Sequence, residues 1–310
     1  MPNVSGVLPI KNGEFWIARN LPRILANLSS DDELIIIEDG SADRSYSLVK
    51  SFAENDPRIS IHRTKGVGLV DALNIAISFS RFEWLARFDI DDFYSRERLA
   101  QQKQAIREGV VAIFSDYRVL RNGTTNLGLF PSPITDSATR TSLLRSQRTA
   151  HPSALVDKNA LLKSGGYKLD DFPAEDLGLW TRLSERGELI SIPHECLFYN
   201  MRSGSISRMN RSLITEKRDV ILKKYVNQFD IDYVFNKLSE TVEVYRGTSH
   251  SKERTLLHYW DLMHPLSQSL LGSKRSQIVK SQLRLLLLNP KSLLPALGLG
   301  YFRLLRSFYK

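Results

Sequence analysis

Along the first 120 residues, short apolar runs that predict strands alternate with segments whose apolar spacing predicts helices. Residues 34–37 form a continuous β-branched-rich run, which is typical of a strand buried on both faces. Residues 69–79 have apolar side chains at helical spacing, and residues 84–88 are again extended in pattern. Strands that alternate with helices predict an α/β fold with a mostly parallel sheet and helices on both faces.

The second part of the chain has a different pattern. Residues 121–150 lack clear periodicity and are rich in Thr, Ser and Arg, which indicates a long, partly irregular connection. A helical pattern at 177–186 and short strands at 188–192 and 197–201 then predict a second compact region. From about residue 211 the pattern is almost wholly helical, with predicted helices at 211–225, 229–245, 254–270, 278–288 and 293–308. We expect a domain over 1–210, with halves at about 1–120 and 121–210, and a helical extension over 211–310.

The composition is that of an ordinary globular protein. Of 310 residues, 42% are hydrophobic and 25% are charged, which excludes a disordered or collagen-like chain. Cys196 is the only cysteine, so no disulfide within the chain and no cysteine-rich zinc site is expected. The first residues lack a basic start and a long apolar run, and no stretch of 18 uncharged apolar residues occurs. We therefore expect a cytoplasmic location without a spanning helix.

Positive charge is concentrated near the C-terminal end. Residues 273–310 carry eight Lys or Arg and no acid, so the net charge of +9 leaves +1 for residues 1–272. A nearly neutral body is a poor track for nucleic-acid phosphates, so we expect no nucleic-acid partner. Basic residues alternating with leucines in 293–308 predict association with an anionic membrane surface, peripheral on its inner face. The alternative is that these leucines pack on the rest of the protein.

Acidic residues follow two of the predicted strands. Glu38 and Asp39 end the run at 34–37, and Asp89, Asp91 and Asp92 follow 84–88. Ligands of open α/β sheets bind outside the carboxyl ends of strands, and Mg²⁺ or Mn²⁺ prefers oxygen ligands. The clusters therefore predict a metal-assisted site for a diphosphate. The alternative is that each acidic turn only caps the next helix.

Three further segments add candidate chemistry. Lys65 with Gly66 and Gly68 precedes a helix, where phosphate is favoured, although a plain turn has the same composition. Glu175 and Asp176 begin a predicted helix. Carboxylates at this position either only stabilise the helix through its dipole or provide a general base. His151 adds a histidine, which is more often a structural residue.

Taken together, these segments resemble family 2 glycosyltransferases of the GT-A fold, with a Rossmann-like sheet. The resemblance covers about residues 3–208. Its motifs are Pro9, residues 35–43 around Glu38-Asp39-Gly40, residues 66–74, Asp89-Ile90-Asp91-Asp92, His151-Pro152-Ser153, Gly165-Gly166-Tyr167, and Glu175-Asp176 with Trp180. Glu38 stands where the family commonly has Asp, which keeps the charge.

The resemblance implies a role for each matching position. The donor nucleotide would be bound by Asp39 with Glu38 beside it, by Pro9 and Lys11, and by Asp89 at the ribose, and we add Lys65 to this set. Asp91 would be the main ligand of Mn²⁺ or Mg²⁺, with Asp92 as its neighbour. Asp176 would be the catalytic base, with Glu175 as the second candidate. Arg202 would contact phosphate or remain solvated, and His151 and Trp180 would contact or support the acceptor.

The expected function is that of an inverting, metal-dependent glycosyltransferase in surface-polysaccharide synthesis. It would move a sugar from a nucleotide-diphosphate sugar, UDP-sugar by family habit with GDP and dTDP open, to a hydroxyl of a glycan or lipid-linked acceptor. The QxxRW motif of processive synthases is absent after Asp176, which favours one sugar per event. The alternatives are a catalytically inactive interaction protein of the same fold and a sugar-phosphate nucleotidyltransferase, whose Gly-rich, Arg-containing opening loop is missing.

Overall fold

The computed structural model describes residues 1–143, 147–202 and 204–226, and their strands form one nine-stranded sheet. The strands are β1 (Val4–Ile10), β2 (Glu33–Asp39), β3 (Ile59–Thr64), β4 (Trp84–Arg87), β5 (Phe93–Tyr94), β6 (Val110–Arg121), β7 (Thr125–Phe130), β8 (Leu155–Asp157) and β9 (Glu188–Met201). The helices are α1 (Glu14–Leu25), α2 (Ser45–Ala53), α3 (Leu69–Phe79), α4 (Arg98–Gln104), α5 (Asp136–Leu143), α6 (Lys158–Lys163), α7 (Glu175–Leu183), α8 (Ile206–Met209) and α9 (Arg211–Val226). The expected α/β fold class is confirmed.

The sheet brings the carboxyl ends of its first strands together. Its order is β3-β2-β1-β4-β8-β6-β9-β5, and β7 pairs with β6. β1 is parallel to both β2 and β4, β2 is parallel to β3, and β6 is parallel to β9. β8 is antiparallel to β4 and to β6. β5 is antiparallel to β9, and β7 is antiparallel to β6. Because β1, β2 and β4 run in one direction, the residues that follow them lie at the same edge of the sheet.

Helices cover both faces of the sheet, as the continuous apolar strands predict. Every residue of β2 is buried, and Ile35 and Ile37 belong to one hydrophobic cluster while Leu34 and Ile36 belong to the other. The first cluster includes residues of α3, α6, α7 and α9, and the second includes residues of α1, α2 and α4. Alternate side chains of a strand point to opposite faces, so a strand between two helical layers has no polar face to mark it.

The predicted irregular connection over 121–150 is wrong in two places, because it contains β7 and α5. Both faces of β7 are partly exposed, and α5 has the polar sequence DSATRTSL, so neither has a marked apolar side. The two short strands expected at 188–192 and 197–201 are one strand, β9. The ladder of β9 with β6 steps from Ile192 to Glu195, so Pro193 falls at an irregularity, where proline is tolerated.

The predicted helix at 211–225 is confirmed as α9, and it packs against the preceding domain. Ile221 and Tyr225 are buried in the cluster that contains α7. The Ser184 hydroxyl donates to Tyr225 Oη at 3.2 Å, and Lys217 Nζ donates to the carbonyl of Asp170 at 2.8 Å. The division at residue 210 and the extension stay predictions, and the helices predicted beyond residue 226 lie outside the described residues. No helix in the described ranges has the length and apolar character to cross a lipid bilayer.

Candidate active site

A cavity of about 600 Å³ opens where β1, β2 and β4 end, and it continues to the start of α7. Ten of the thirteen predicted site residues line it: Pro9, Lys11, Asp39, Asp89, Asp91, Asp92, His151, Glu175, Asp176 and Arg202. Five of the seven predicted donor-binding residues therefore share one cavity with the predicted base. Glu38, Lys65 and Trp180 are absent from its lining.

Asp39 holds the glycine loop that precedes α3. Its Oδ1 accepts from the Thr64 hydroxyl at 2.5 Å and the Val67 amide at 2.6 Å, and its Oδ2 accepts from the Gly68 amide at 3.0 Å. Burial alone would raise the pKa of Asp39, but these hydrogen bonds and Lys11, 3.7 Å away, lower it below its ordinary value. Asp39 is therefore ionised at neutral pH and rigidly placed at the end of β2.

Glu38 and Lys65 lie outside the cavity lining, and Glu38 holds the loop after β2. The Glu38 side chain is 0% exposed, and its carboxylate accepts from the Ser41 amide at 2.6 Å and from Arg63 Nε at 2.8 Å. Gly40, between the two acidic strand ends and Ser41, has a φ of 63°, and a Cβ there would lie 2.8 Å from the Gly66 nitrogen. The close approach explains why a glycine stands at the turn. Because Glu38 is fully buried and outside the cavity lining, we propose that it positions the loop.

The acidic turn after β4 is held from three sides. Arg87 Nη2 donates to Asp89 Oδ1 at 2.7 Å, the Asn200 amide donates to Asp92 Oδ1 at 2.7 Å, and Arg202 Nε donates to Asp91 Oδ2 at 2.5 Å. Burial raises the pKa of Asp91, and the charge of Asp89 adds to this while Arg202 opposes it. Burial, with the charges of Asp91 and Asp89, raises the pKa of Asp92 well above its ordinary value. The turn therefore concentrates negative charge that needs a cation.

The donor set of this turn fits a hard divalent cation. Carboxylate oxygens are the ligands that Mg²⁺ and Mn²⁺ prefer, and the mutual repulsion of these three acids is what such an ion relieves. Asp91 lines the cavity and its counter-ion is the half-exposed Arg202, so its oxygens are accessible. Asp92 is 2% exposed and one of its oxygens, Oδ2, has no hydrogen-bond partner among the described residues. The described residues contain no group of three His, Cys, Asp or Glu side chains arranged as a ready metal site.

Glu175 and Asp176 lie at the first turn of α7, on the other side of the cavity. Asp176 Oδ1 accepts from the Leu177 amide at 2.7 Å, and Oδ2 accepts from Gln147 Nε2 at 2.5 Å. Burial raises the pKa of Asp176, although these two hydrogen bonds and the charge of Arg218 oppose the rise. Glu175 is 6% exposed, and burial together with the charge of Asp176 raises its pKa to about 7. At neutral pH the carboxyl of Glu175 is therefore only partly ionised.

His151 lines the cavity, and Trp180 packs against it from behind. His151 Nε2 lies 2.8 Å from the Tyr167 hydroxyl, and the indole of Trp180 meets the imidazole edge-on with centroids 5.8 Å apart. Burial, together with the positive charge of Arg87, holds the pKa of His151 well below its ordinary value, so the imidazole is neutral at pH 7. Trp180 is fully buried, so it supports His151 from behind the cavity wall.

The cavity residues missed by the sequence analysis include three that act on its acidic groups: Arg87, Gln147 and Arg218. Arg87 had a signal, because a charged residue inside the apolar run at 84–88 needs a partner, and Asp89 supplies it. Gln147 lies in a stretch without periodicity, and Arg218 is one of several basic residues on α9. Nothing local distinguishes either of them, because each reaches Asp176 only through the tertiary fold.

Comparisons with known proteins find a matching family and several similar proteins. The model of the family described as "Glycosyl transferase family 2" matches residues 5–167, more than half of the chain. An uncharacterized glycosyltransferase of Rickettsia bellii is 26% identical over 216 residues, which cover 67% of this chain but 30% of that protein. The Escherichia coli UDP-Glc:alpha-D-GlcNAc-diphosphoundecaprenol beta-1,3-glucosyltransferase WfgD is 22% identical over 222 residues, covering 70% of this chain and 85% of that one.

Solved structures share the fold at low sequence identity. The mannosyltransferase PcManGT from Pyrobaculum calidifontis, in complex with GDP-Man and Mn²⁺, has a TM-score of 0.57 and 16% identity, covering 93% of this chain and 81% of that one. S. aureus TarS 1–349 in complex with UDP-GlcNAc has a TM-score of 0.56 and 16% identity, covering 91% and 92%. These likenesses confirm the expected fold.

Proposed function

This chain belongs to glycosyltransferase family 2, and from that premise we propose that it transfers one sugar per event from a nucleotide-diphosphate sugar to a hydroxyl group. The observation that carries the proposal is that one cavity contains both a base candidate, Asp176, and the acidic strand ends Asp39, Asp89 and Asp91. A binding protein would need the nucleotide end alone. An ionisable carboxylate across the cavity from it is what a transferase needs in addition.

At the donor end, the chain's own residues provide a recognition side and a charged side. Asp39 and Lys11 lie at the ends of β2 and β1, where the nucleotide base and ribose would bind. Arg202 lines the same cavity and would contact the diphosphate. Asp91, with Asp92 beside it, would hold Mn²⁺ or Mg²⁺, which as a Lewis acid stabilises negative charge on the departing diphosphate.

At the acceptor end, Asp176 removes the proton of the attacking hydroxyl. The Leu177 amide and Gln147 each donate to one oxygen of its carboxylate, so the carboxylate is held in a defined orientation. Attack on the anomeric carbon from the face opposite the diphosphate inverts that centre in a single displacement. Retaining glycosidases instead need a carboxylate nucleophile close to the sugar, and this scheme needs none.

The substrate class is inferred from the proteins that this chain resembles. The similar E. coli protein is named for a UDP-glucose donor and a diphosphoundecaprenol-linked acceptor, and the similar structures are complexes with UDP-GlcNAc or with GDP-Man and Mn²⁺. We propose a UDP-sugar donor and a glycan or lipid-linked acceptor in polysaccharide synthesis. Such an acceptor suits a cytoplasmic protein that is peripheral on the membrane through residues 273–310, which lie outside the described residues.

Isothermal titration calorimetry of the full chain tests the donor side. UDP-glucose, UDP-GlcNAc, GDP-mannose and a dTDP-sugar are each titrated with and without Mn²⁺. We expect one nucleotide class to bind and Mn²⁺ to strengthen that binding. Binding of no nucleotide sugar under either condition would overturn the proposed function, and binding unaffected by divalent ions would overturn its metal dependence.

A further inference from the structure

Arg218 lies on the face of α9 that packs against the rest of the protein. Ile221 and Tyr225, three and seven residues further on, are buried, and Ile214, four residues earlier, is partly buried. Residues at this spacing share one face of a helix. Burying the charge of an arginine in the middle of an inward-facing apolar stripe costs free energy. Such an arginine is rarely buried without a partner of opposite charge.

The position of this face is set by contacts near the middle and near the C-terminal end of α9. Near its C-terminal end, Tyr225 Oη accepts from Ser184 at 3.2 Å, and at the other side Lys217 Nζ donates to the Asp170 carbonyl at 2.8 Å. These contacts tie α9 to residues on either side of Glu175-Asp176. Arg218 consequently lines the same cavity as Asp176.

We propose that Arg218 is a positioning residue for the Asp176 carboxylate, so that α9, which follows the family-matched residues, completes the active site. This inference rests on the proposed function, in which Asp176 is the base. Arg218 does not need to touch the sugar. Its positive charge keeps Asp176 ionised in a buried setting and fixes the direction in which the carboxylate faces the acceptor hydroxyl.

The electrostatics of the cavity agree with this assignment. Burial lowers the pKa of Arg218 while the charges of Asp176 and Asp219 raise it, and in return Arg218 lowers the pKa of Asp176 against the effect of burial. Gln147, which donates to Asp176 Oδ2, is neutral and supplies no charge. Other titratable or charged groups of the described residues that act on this cluster are Glu175, Tyr167, Arg87, Asp89 and Asp219.

The experiment measures Asp176 directly, without any substrate. The full chain is labelled with ¹³C at the aspartate carboxyl carbons, and the Asp176 resonance is assigned by its loss in Asp176→Asn. We expect Arg218→Gln to raise the pKa of Asp176 by roughly one pH unit, as loss of a nearby opposite charge does. Arg218→Lys should keep most of the wild-type value. Lys224→Gln removes the same charge from the exposed face of α9 and should change nothing.

Each outcome decides the inference. An unchanged Asp176 titration in Arg218→Gln, or an equal change in Lys224→Gln, overturns it. If Arg218→Gln does not fold, Arg218→Met keeps the apolar stem of the side chain and is read in the same way. If Asp176 responds as expected but Asp176→Asn still transfers sugar at the wild-type rate, the proposed role of Asp176 fails while the coupling to Arg218 stands.

Discussion

Arg202 Nε lies 2.5 Å from Asp91 Oδ2, although 111 positions separate the two residues in the chain. The arginine follows β9 and the aspartate follows β4, and these strands are not neighbours in the sheet. The guanidinium therefore neutralises the carboxylate that we expect to bind the metal. A divalent cation bound to Asp91 would compete with Arg202 for the carboxylate. Arg202 displaced from Asp91 would then be available to the donor diphosphate.

Replacement of Arg202 tests this exchange. We expect Arg202→Gln to weaken UDP binding in the presence of Mn²⁺ by roughly 10-fold or more, because a hydrogen bond to a charged group contributes about 1.5–3 kcal/mol. UMP, which lacks the second phosphate, should lose less. Calorimetry with both nucleotides measures the difference, and Arg208→Gln, an exposed arginine of the same segment, is the control. An equal loss for UDP and UMP would argue against a diphosphate contact.

Asp91→Asn should abolish the Mn²⁺ dependence of donor binding and leave the fold intact. The amide keeps the shape of the side chain but removes the negative charge that a hard cation requires. Calorimetry of UDP with and without Mn²⁺ measures the effect, and a melting temperature near that of the wild type verifies folding. Asp31→Asn, at an exposed acid, is the matched control. If Mn²⁺ still strengthens binding to Asp91→Asn as in the wild type, the metal assignment is wrong.

Asp176→Asn should separate chemistry from binding. Donor binding should persist, and transfer should fall by roughly 10²–10⁴, the usual contribution of general acid–base catalysis. The measurement is release of the nucleoside diphosphate from the donor selected by calorimetry, with Asp170→Asn at an exposed acid as the control. A rate within a few fold of the wild type would move the base role to Glu175, and Glu175→Gln would then show the larger loss.

Transfer should also depend on pH with a definite sign. Asp176 acts as a base only when it is ionised, and burial raises its pKa above the ordinary value. The rate should therefore fall as pH falls through this raised pKa, at a higher pH than an exposed aspartate would give. A rate profile between pH 4 and pH 8 in which the acid limb lies at or below the ordinary pKa of aspartate would contradict this.

Glu175 predicts a pH-dependent change in stability. Its pKa is raised to about 7, so the stability it contributes in the protonated form is present below its ordinary pKa and is lost as pH rises through about 7. Glu175→Gln stays neutral at every pH. Relative to the wild type, we expect its melting temperature to rise between pH 5 and pH 8, by roughly 3–6 °C. Thermal melts of Glu185→Gln, at an exposed position, should show no such trend. A constant difference between Glu175→Gln and wild type would exclude a buried, proton-binding Glu175.

The basic residues near the end of the chain predict membrane binding that salt weakens. Each Lys or Arg near an anionic surface contributes on the order of 1 kcal/mol, and this attraction is screened by salt. Arg303, Arg306 and Lys310 changed together to Gln should therefore reduce sedimentation of the full chain with anionic vesicles at low salt. Removal of the same charge from the exposed Arg19, Lys50 and Arg96 is the control. Equal sedimentation of the two triple variants would favour packing of this segment on the protein.

The sequence by itself determined the strands and helices of the first half and the acidic residues at their ends. Apolar runs such as 34–37 and the helical spacing at 69–79 depend on local periodicity, and both appear as β2 and α3. Because parallel strands end at one edge of a sheet, the sequence pattern alone was enough to place Asp39 and Asp89 near each other. The sequence did not predict β7 and α5, because β7 is partly exposed on both faces and α5 is largely polar, so neither has a clear hydrophobic periodicity.

Only the tertiary structure decided what each charged side chain faces. Asp91 accepts from Arg202, Asp176 accepts from Gln147 and feels the charge of Arg218, and Glu38 is paired with Arg63 outside the cavity. These partners are distant in the chain, and neither a residue type nor its periodicity encodes such a contact. The electrostatic consequences, a neutral His151 and a Glu175 with a pKa of about 7, arise from burial against several elements at once. Burial is a property of the packed molecule, and for that reason the chemistry of the site could be proposed from the sequence but its charge state could not.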